Sequence, residues 1–180
     1  RRSFDLLAAW SPYIKPGTWP DADMLPVGLL SLGGRPHGEE RYTKFTLSEQ
    51  YTLLSLWIIS RSPLMLGADL RQVPPDLYEM LTNPEVLAVN ASSSGNREVY
   101  RDEKTIAWMA EEPDSGDKYL ALFNISDEAG TVIFDLTASE MEGEYAVRDL
   151  WKRSDAGEVS KILEVSLEAH GAALFRLKEK

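Results

Sequence analysis

The sequence predicts two structural classes in one chain: an α/β region over residues 1–92 and an antiparallel β-sandwich over residues 93–180. Apolar residues recur at helical spacing in the first region, whereas short apolar stretches alternate with turn formers in the second. The polar segment 90–96, NASSSGN, has the composition of a linker. The charge also changes there, since residues 1–90 hold eight Lys and Arg against ten Asp and Glu, and residues 91–180 hold eleven against nineteen.

The composition is that of an ordinary globular protein, with 43% hydrophobic and 27% charged residues. A net charge of −10 disfavours nucleic acid and anionic membranes as partners. The absence of cysteine excludes thiolate metal sites and cysteine nucleophiles, and two histidines cannot make a three-histidine metal centre. We therefore expect no metal and no cofactor. The longest apolar stretch, residues 53–60, falls far short of the roughly 20 residues that span a bilayer.

The chain begins with Arg1 and carries no hydrophobic signal segment at its start. We expect it to be part of a longer polypeptide. The compartment stays open, and a secreted or periplasmic location is compatible with the sequence.

The elements of the first region are predicted from the spacing of apolar residues and from the positions of proline and glycine. Phe4, Leu7 and Trp10 share a helical face, and Pro12 ends that helix. Residues 19–25 are predicted to form a short strand, and the glycine-rich residues 28–41 a loop.

Three further helices are predicted downstream. Thr46 and Glu49 have the spacing of a capping box, and the apolar stripe that follows predicts a well-buried helix with Trp57 in the core. Proline residues in the segments 74–75 and 83–84 begin two shorter helices.

The second region contains short strands separated by turn formers such as the segments 113–116, 127–130 and 154–157, which are predicted to be turns. Many short strands with regular turns are typical of an antiparallel sandwich. The predicted strands are residues 105–110, 118–126, 131–136, 145–151, 164–168 and 172–178.

The strongest candidate for chemistry is the pair Asp21 and Asp23, flanked by Trp19 and Met24. Carboxylate oxygens accept hydrogen bonds from sugar hydroxyls, and an apolar side chain packs against a pyranose ring. The same residues also suit a turn with a cap, and the residues alone leave both interpretations open.

The segment 17–28, GTWPDADMLPVG, closely resembles a signature of glycoside hydrolase family twenty-seven, the α-galactosidases and α-N-acetylgalactosaminidases (melibiases). Nearly the whole chain shares this resemblance. Further matching segments, in order, are residues 45–50 (FTLSEQ), 55–57 (SLW), 62–70 (SPLMLGADL), 81–90 (LTNPEVLAVN) and 170–177 (HGAALFRL).

The resemblance implies a (β/α)8 barrel, of which residues 1–92 would be the last βα portion, followed by a carboxy-terminal antiparallel β-sandwich over residues 93–180. Active sites of such barrels lie at the carboxyl ends of the strands. By similarity, Asp23 would contact galactose, Met24 would form an apolar wall, and Trp19 and Asp21 would support them. The implied partners are an α-galactoside and the amino-terminal portion of the barrel.

The chain departs from the family in its catalytic residues. Retaining glycosidases use two carboxylates, and the family's nucleophile and acid/base motifs are both absent from this sequence. Asp5 lies near the expected acid/base position, but the spacing makes it a helical surface residue. Asp21 and Asp23 cannot flank a sugar if both point the same way from one strand. We assign no catalytic residue and expect the chain to be inactive alone.

The alternative is a non-catalytic module, in which the β-sandwich binds carbohydrate or only supports another domain. The loop 33–41, with His37, is either a rim of the substrate entrance or a solvated connector. The sequence does not distinguish galactose from N-acetylgalactosamine as the substrate sugar.

Overall fold

A computed structural model describes residues 2–34 and 38–180, and in that part the chain is mostly β with few helices. The helices are α1 (Arg2–Trp10), α2 (Leu47–Ile59), α3 (Pro75–Thr82) and α4 (Pro84–Ser92). The strands are β1 (Leu29–Gly34), β2 (Gly38–Tyr42), β3 (Ser94–Arg101), β4 (Thr105–Glu111), β5 (Lys118–Asn124), β6 (Gly130–Asp135), β7 (Tyr145–Asp149), β8 (Ser154–Val159), β9 (Ile162–Leu167) and β10 (Ala172–Glu179).

The second region forms an antiparallel β-sandwich. One sheet has six strands in the order β3-β4-β5-β10-β7-β8, and β6 pairs with β9 in a second, two-stranded sheet. Alternate residues of β6 point inward, so Val132 and Phe134 are buried between the sheets while their neighbours are exposed. Their partners in this core include Leu120, Leu122, Val147, Leu167, Phe175 and Leu177.

The other face of the six-stranded sheet is covered by the helices. Strands β4 and β5 are therefore buried on both faces, which explains their nearly continuous apolar sequences. Helix α2 lies against this face, and one hydrophobic core joins Leu56 and Ile58 of the helix to Trp108, Phe123 and Leu174 of the sheet. The two regions of the chain share this core.

Polar contacts also cross between the helices and the sandwich. The Trp151 indole Nε1 donates to Ser55 Oγ over 2.9 Å, and Thr52 Oγ1 donates to the backbone oxygen of His170 over 2.6 Å. The Asn83 amide, at the start of α4, donates to the Leu150 carbonyl over 2.9 Å. Helices α2 and α4 are thereby fixed against the sheet by directional bonds as well as by apolar packing.

The three predicted helices after residue 45 are confirmed. The capping box forms as expected, because the Glu49 backbone N–H donates to Thr46 Oγ1 over 3.3 Å and the Thr46 N–H donates to Glu49 Oε2 over 2.7 Å. The Asn83 side chain accepts the Glu85 backbone N–H over 3.0 Å at the start of α4.

The predicted linker over residues 90–96 is wrong. Helix α4 ends at Ser92 and β3 begins at Ser94, so Ser93 alone joins them. Asn96 is buried and donates to the Ile59 carbonyl and to Ser93 Oγ over 2.7 Å each. The small polar residues therefore make a tight, hydrogen-bonded junction.

Two other predictions are wrong. Residues 28–41 are not a simple loop, because β1 and β2 pair as an antiparallel hairpin in which Leu32 faces Glu40. Residues 154–157, which resemble a turn, lie in β8, whose exposed edge position tolerates polar residues and glycine. His37 lies outside the described residues, so its predicted place on this loop is untested.

Candidate functional site

The candidate site is an Asx turn over residues 21–24, closed by the Asp21 side chain, rather than a strand. Asp23 has a left-handed backbone, with a φ of 74°. The Asp23 backbone N–H donates to Asp21 Oδ1 over 2.9 Å, and the Met24 N–H donates to Asp23 Oδ1 over 2.7 Å. Each aspartate thus satisfies a backbone donor within the turn, a known use of short acidic side chains.

The strand predicted over residues 19–25 is therefore wrong. Pro20 has no backbone N–H to give to a ladder, and the left-handed Asp23 breaks the extended conformation. Strand-like pairing occurs at a single point, a parallel bridge between Leu25 and Leu66. Because Asp21 and Asp23 do not lie on one strand, the expected parallel alignment of their side chains does not apply.

The end of helix α2 holds the inner side of the 21–24 turn. The Trp57 indole Nε1 donates to the Asp23 carbonyl oxygen over 2.9 Å. The Ala22 backbone N–H donates to Ser62 Oγ, also over 2.9 Å. Trp57 and Ser62 are both buried, so these bonds anchor the turn to the interior of the protein.

The segment 65–69 runs beside the turn and fixes the chain that leaves it. The Leu25 N–H donates to the Met65 carbonyl over 2.7 Å, and the Gly67 N–H donates to the Leu25 carbonyl over 2.9 Å. A Cβ on Gly67 would lie 3.3 Å from the Cβ of Met24. Glycine at this position therefore allows the close approach of the two segments.

The outer side of the turn is open to solvent. Met24 is 55% exposed and Trp19 is 52% exposed, and both Asp21 and Asp23 are exposed. A cleft of about 450 Å³ lies between α1 and residues 19–23, with Leu6 and Trp10 on its helical wall. The turn presents a carboxylate and a thioether side by side, which can bind a hydroxyl-bearing ring through one polar and one apolar contact.

Other acidic residues near the turn are engaged elsewhere. Asp5 lies on α1, is exposed and pairs with Arg101 over 2.8 Å, in agreement with its expected place on a helix surface. Hydrogen bonds from Arg71 lower the pKa of Asp69 to about 2. Asp69 is thus ionised near neutral pH and paired with Arg71, which does not suit it to proton transfer there.

Two general features bear on the kind of site. Among residues 2–34 and 38–180, no three His, Cys, Asp or Glu side chains cluster so as to hold a metal ion. In the same part of the chain, no helix has the length and apolar character needed to cross a membrane.

Sequence reasoning missed Trp57 as a part of the site. Its apolar helical surroundings indicated core packing, and Trp57 is indeed buried. A buried tryptophan usually finds an acceptor for its indole N–H. That rule predicts an acceptor for Trp57, but the sequence does not identify the Asp23 carbonyl as that acceptor.

Comparison with known proteins shows which family has this architecture. Residues 7–92 match the family model described as Alpha galactosidase A, and residues 102–177 match the Alpha galactosidase C-terminal beta sandwich domain. Both matches are to families of glycoside hydrolases, and together they cover most of the chain. The chain belongs to the α-galactosidase family, glycoside hydrolase family twenty-seven, and corresponds to the carboxy-terminal portion of its members.

Individual relatives agree with this assignment. Alpha-galactosidase 2 of Arabidopsis thaliana is 28% identical over 95% of this chain and 41% of its own length. Alpha-galactosidase 3 of the same plant is 31% identical over 92% of this chain and 36% of its own length. A crystal structure of a β-L-arabinopyranosidase from Geobacillus stearothermophilus superposes with a TM-score of 0.91 at 36% identity, over 98% of this chain and 41% of that protein. The chain thus spans about two fifths of such relatives.

Proposed function

We propose that the complete polypeptide containing this chain is a retaining glycosidase that removes a terminal α-linked galactose, or a sugar of the same ring stereochemistry. This chain supplies Asp23 as a polar contact and Met24 as an apolar wall of the sugar pocket. The observation that carries the proposal is the 21–24 turn, which presents both side chains to solvent from an anchored backbone. Trp19 and Asp21 support that turn.

The proposal assigns residues 1–92 to the last βα portion of a (β/α)8 barrel and residues 93–180 to the carboxy-terminal sandwich. Support comes from the cleft between α1 and residues 19–23, whose walls include the half-exposed apolar side chains of Leu6, Trp10 and Trp19. A helix of such a barrel packs over the strand before it as well as the strand after it. The cleft is thus the expected seat of the preceding strand, in the amino-terminal part of the barrel.

The catalytic pair belongs, in this proposal, to that amino-terminal part. Retention requires two carboxyl groups about 5–5.5 Å apart on opposite sides of the scissile bond. Asp21 Oδ1 and Asp23 Oδ1 each accept a backbone N–H within the turn, so both carboxylates hold its shape and neither is assigned to the catalytic pair. We therefore expect the 180-residue chain to be inactive by itself.

The names of the relatives indicate which sugars are candidate substrates. The curated relatives are named α-galactosidases, whereas the Geobacillus stearothermophilus relative, at 36% identity, is named a β-L-arabinopyranosidase. The two sugars share their ring configuration and differ by the exocyclic hydroxymethyl group. An Asp23 contact to a ring hydroxyl serves either sugar, so both are candidate substrates, as is N-acetylgalactosamine.

Hydrolysis assays test this function. The complete polypeptide and the 180-residue chain are each assayed with an aryl α-galactoside, an aryl α-N-acetylgalactosaminide and an aryl β-L-arabinopyranoside. We expect turnover of at least one substrate by the complete polypeptide and none by the chain alone. Turnover by the chain alone contradicts the missing catalytic pair, and no turnover by the complete polypeptide contradicts the activity.

The alternative of a non-catalytic carbohydrate-binding or structural module has less support. A tryptophan platform for sugar on the sandwich needs an exposed indole ring. Trp108 is fully buried, and Trp151 packs edge-on against Tyr51, with 4.9 Å between ring centroids. Both sandwich tryptophans are thus used in packing.

A further inference from the structure

We propose that Trp57 and Ser62 are positioning residues, which hold the 21–24 turn in the conformation that presents Asp23 and Met24 to the sugar. This inference rests on the proposed sugar-binding role of the turn and extends it to two buried side chains that do not face the sugar. The juxtaposition that carries it is the end of α2 against the inner side of the turn, with both bonds at 2.9 Å.

The turn needs outside support because its backbone is strained. A left-handed backbone is unfavourable for a residue with a Cβ, and such residues persist where the surrounding structure fixes them. The bonds that Asp21 and Asp23 make to the turn's own backbone stabilise its shape. They do not fix where the turn lies relative to the rest of the protein.

Trp57 and Ser62 supply that second constraint. Trp57 lies near the end of α2, where residues 54–59 are all buried, so its indole N–H has a fixed direction. It binds the carbonyl of Asp23, the residue whose carboxylate is proposed to contact the sugar. Ser62 binds the N–H of the preceding residue, Ala22. The two bonds therefore bracket the peptide unit that orients the Asp23 side chain.

The bend after α2 that contains Ser62 is stabilised by hydrogen bonds with Asn90. Arg61 has a φ of 56°, which turns the chain sharply after α2, and its Nε donates to the Asn90 carbonyl over 3.2 Å. The Asn90 amide donates to the Ser62 carbonyl over 2.9 Å. A continuous path of hydrogen bonds thus runs from α4 through Asn90 and Ser62 to the turn.

The same helix offers a matched control pair. Trp151 also donates its indole N–H over 2.9 Å, but to Ser55 Oγ of α2, on a contact with the sandwich. Ser55 and Ser62 are both fully buried. Replacing Trp151 or Ser55 removes one partly buried hydrogen bond, as Trp57→Phe and Ser62→Ala do, without touching the turn.

The test compares Trp57→Phe with Trp151→Phe, and Ser62→Ala with Ser55→Ala, in the complete polypeptide. Competitive inhibition by free galactose and by free L-arabinose is measured with the substrate that the wild type cleaves. Hydrogen exchange of the backbone over residues 19–25 is measured in parallel. Thermal unfolding of all four variants shows whether the matched pairs lose similar stability.

We expect Trp57→Phe and Ser62→Ala to raise the inhibition constant about five- to tenfold, the factor expected for the loss of one hydrogen bond. We expect them also to accelerate exchange over residues 19–25. Trp151→Phe and Ser55→Ala should change neither quantity despite a similar loss of thermal stability. Equal effects in the two pairs on both readouts overturn the proposal.

The hydrogen-exchange measurement tests the positioning role of Trp57 and Ser62 separately from the proposed sugar-binding function. If the wild type neither cleaves nor binds any of these sugars, the proposed function fails and the exchange comparison alone decides the positioning role. Faster exchange confined to Trp57→Phe and Ser62→Ala then supports positioning, and equal exchange in all four variants overturns it.

Discussion

Arg148 and Glu85 form a two-bond ion pair across the junction of the helices and the sandwich. Arg148 Nε and Nη2 each donate to one carboxylate oxygen of Glu85 over 2.7 Å. Arg148 lies on β7 and Glu85 in the first turn of α4, where a negative charge also interacts favourably with the helix dipole. The pair therefore adds a charged contact to the apolar core that the two regions share.

This pair predicts a contribution to acid sensitivity. Hydrogen bonds from Arg148 are the largest cause that lowers the pKa of Glu85 below its usual value of 4.5. A carboxyl with a lowered folded pKa stabilises the fold above its unfolded pKa and loses that contribution as the pH falls through the folded value. The contribution should thus be complete at pH 7, begin to fall near pH 4.5, and be lost once the pH is below the folded pKa of Glu85.

Glu85→Gln tests that contribution. Since the pair is partly exposed, we expect the free energy of unfolding to fall by about 1 kcal/mol at pH 7 and to differ little from the wild type at low pH. Urea unfolding at both pH values measures this, with Glu142→Gln, at an exposed site, as the control. A loss of equal size at both pH values contradicts the assignment.

The shared core predicts a single unfolding transition. Phe123 of β5 is fully buried and meets Phe4 of α1 edge-to-face, with 4.9 Å between ring centroids. We expect Phe123→Ala to cost about 3–5 kcal/mol. Far-ultraviolet and tryptophan signals should shift together, since the helices and the sandwich lose the same core. Two separated transitions contradict a shared core.

Gly28 and Gly116 separate backbone strain from steric conflict. Both have positive φ, at 67° and 77°, but a Cβ on Gly28 would lie 2.6 Å from Leu77 Cδ2, whereas a Cβ on Gly116 meets nothing within 4 Å. Strain costs about 1 kcal/mol for either alanine substitution. We expect Gly28→Ala to cost about 1 kcal/mol more than Gly116→Ala, because Leu77 must move. Chemical denaturation of the two variants measures the difference, and equal losses contradict the steric account.

The apolar cleft beside α1 predicts self-association of the isolated chain. Leu6 and Trp10 expose 50% and 57% of their surface on its wall. Contiguous exposed apolar surface favours association. We expect sedimentation velocity to show oligomers that Leu6→Lys reduces, whereas Ile133→Lys, at a similarly exposed site on the sandwich, leaves them unchanged. A monomeric wild type contradicts the expectation.

Local signals in the sequence were sufficient for most of the regular elements. The capping box at Thr46 and the proline that follows Asn83 act within one helical turn, so they locate α2 and α4 directly. The alternation in β6 and β9 likewise identifies strands that bury one face. These elements could be predicted because the interactions that form them join residues close together in the sequence.

The site was harder to predict, since its shape depends on distant residues. Asp21 and Asp23 suit either a strand or a turn by spacing, and the turn is held by Trp57 and Ser62, about 35 to 40 residues away. Strand β2 of the hairpin and the edge strand β8 were missed because they are polar and exposed, which removes the apolar pattern. Long-range hydrogen bonds and edge positions leave little trace in local sequence.

The most direct test of the account is a crystal structure of the complete polypeptide with galactose bound. We predict that the Asp23 carboxylate lies within about 2.6–3.2 Å of a sugar hydroxyl, with the Met24 side chain against the ring. Galactose bound elsewhere, with Asp23 and Met24 both facing solvent, would contradict the account.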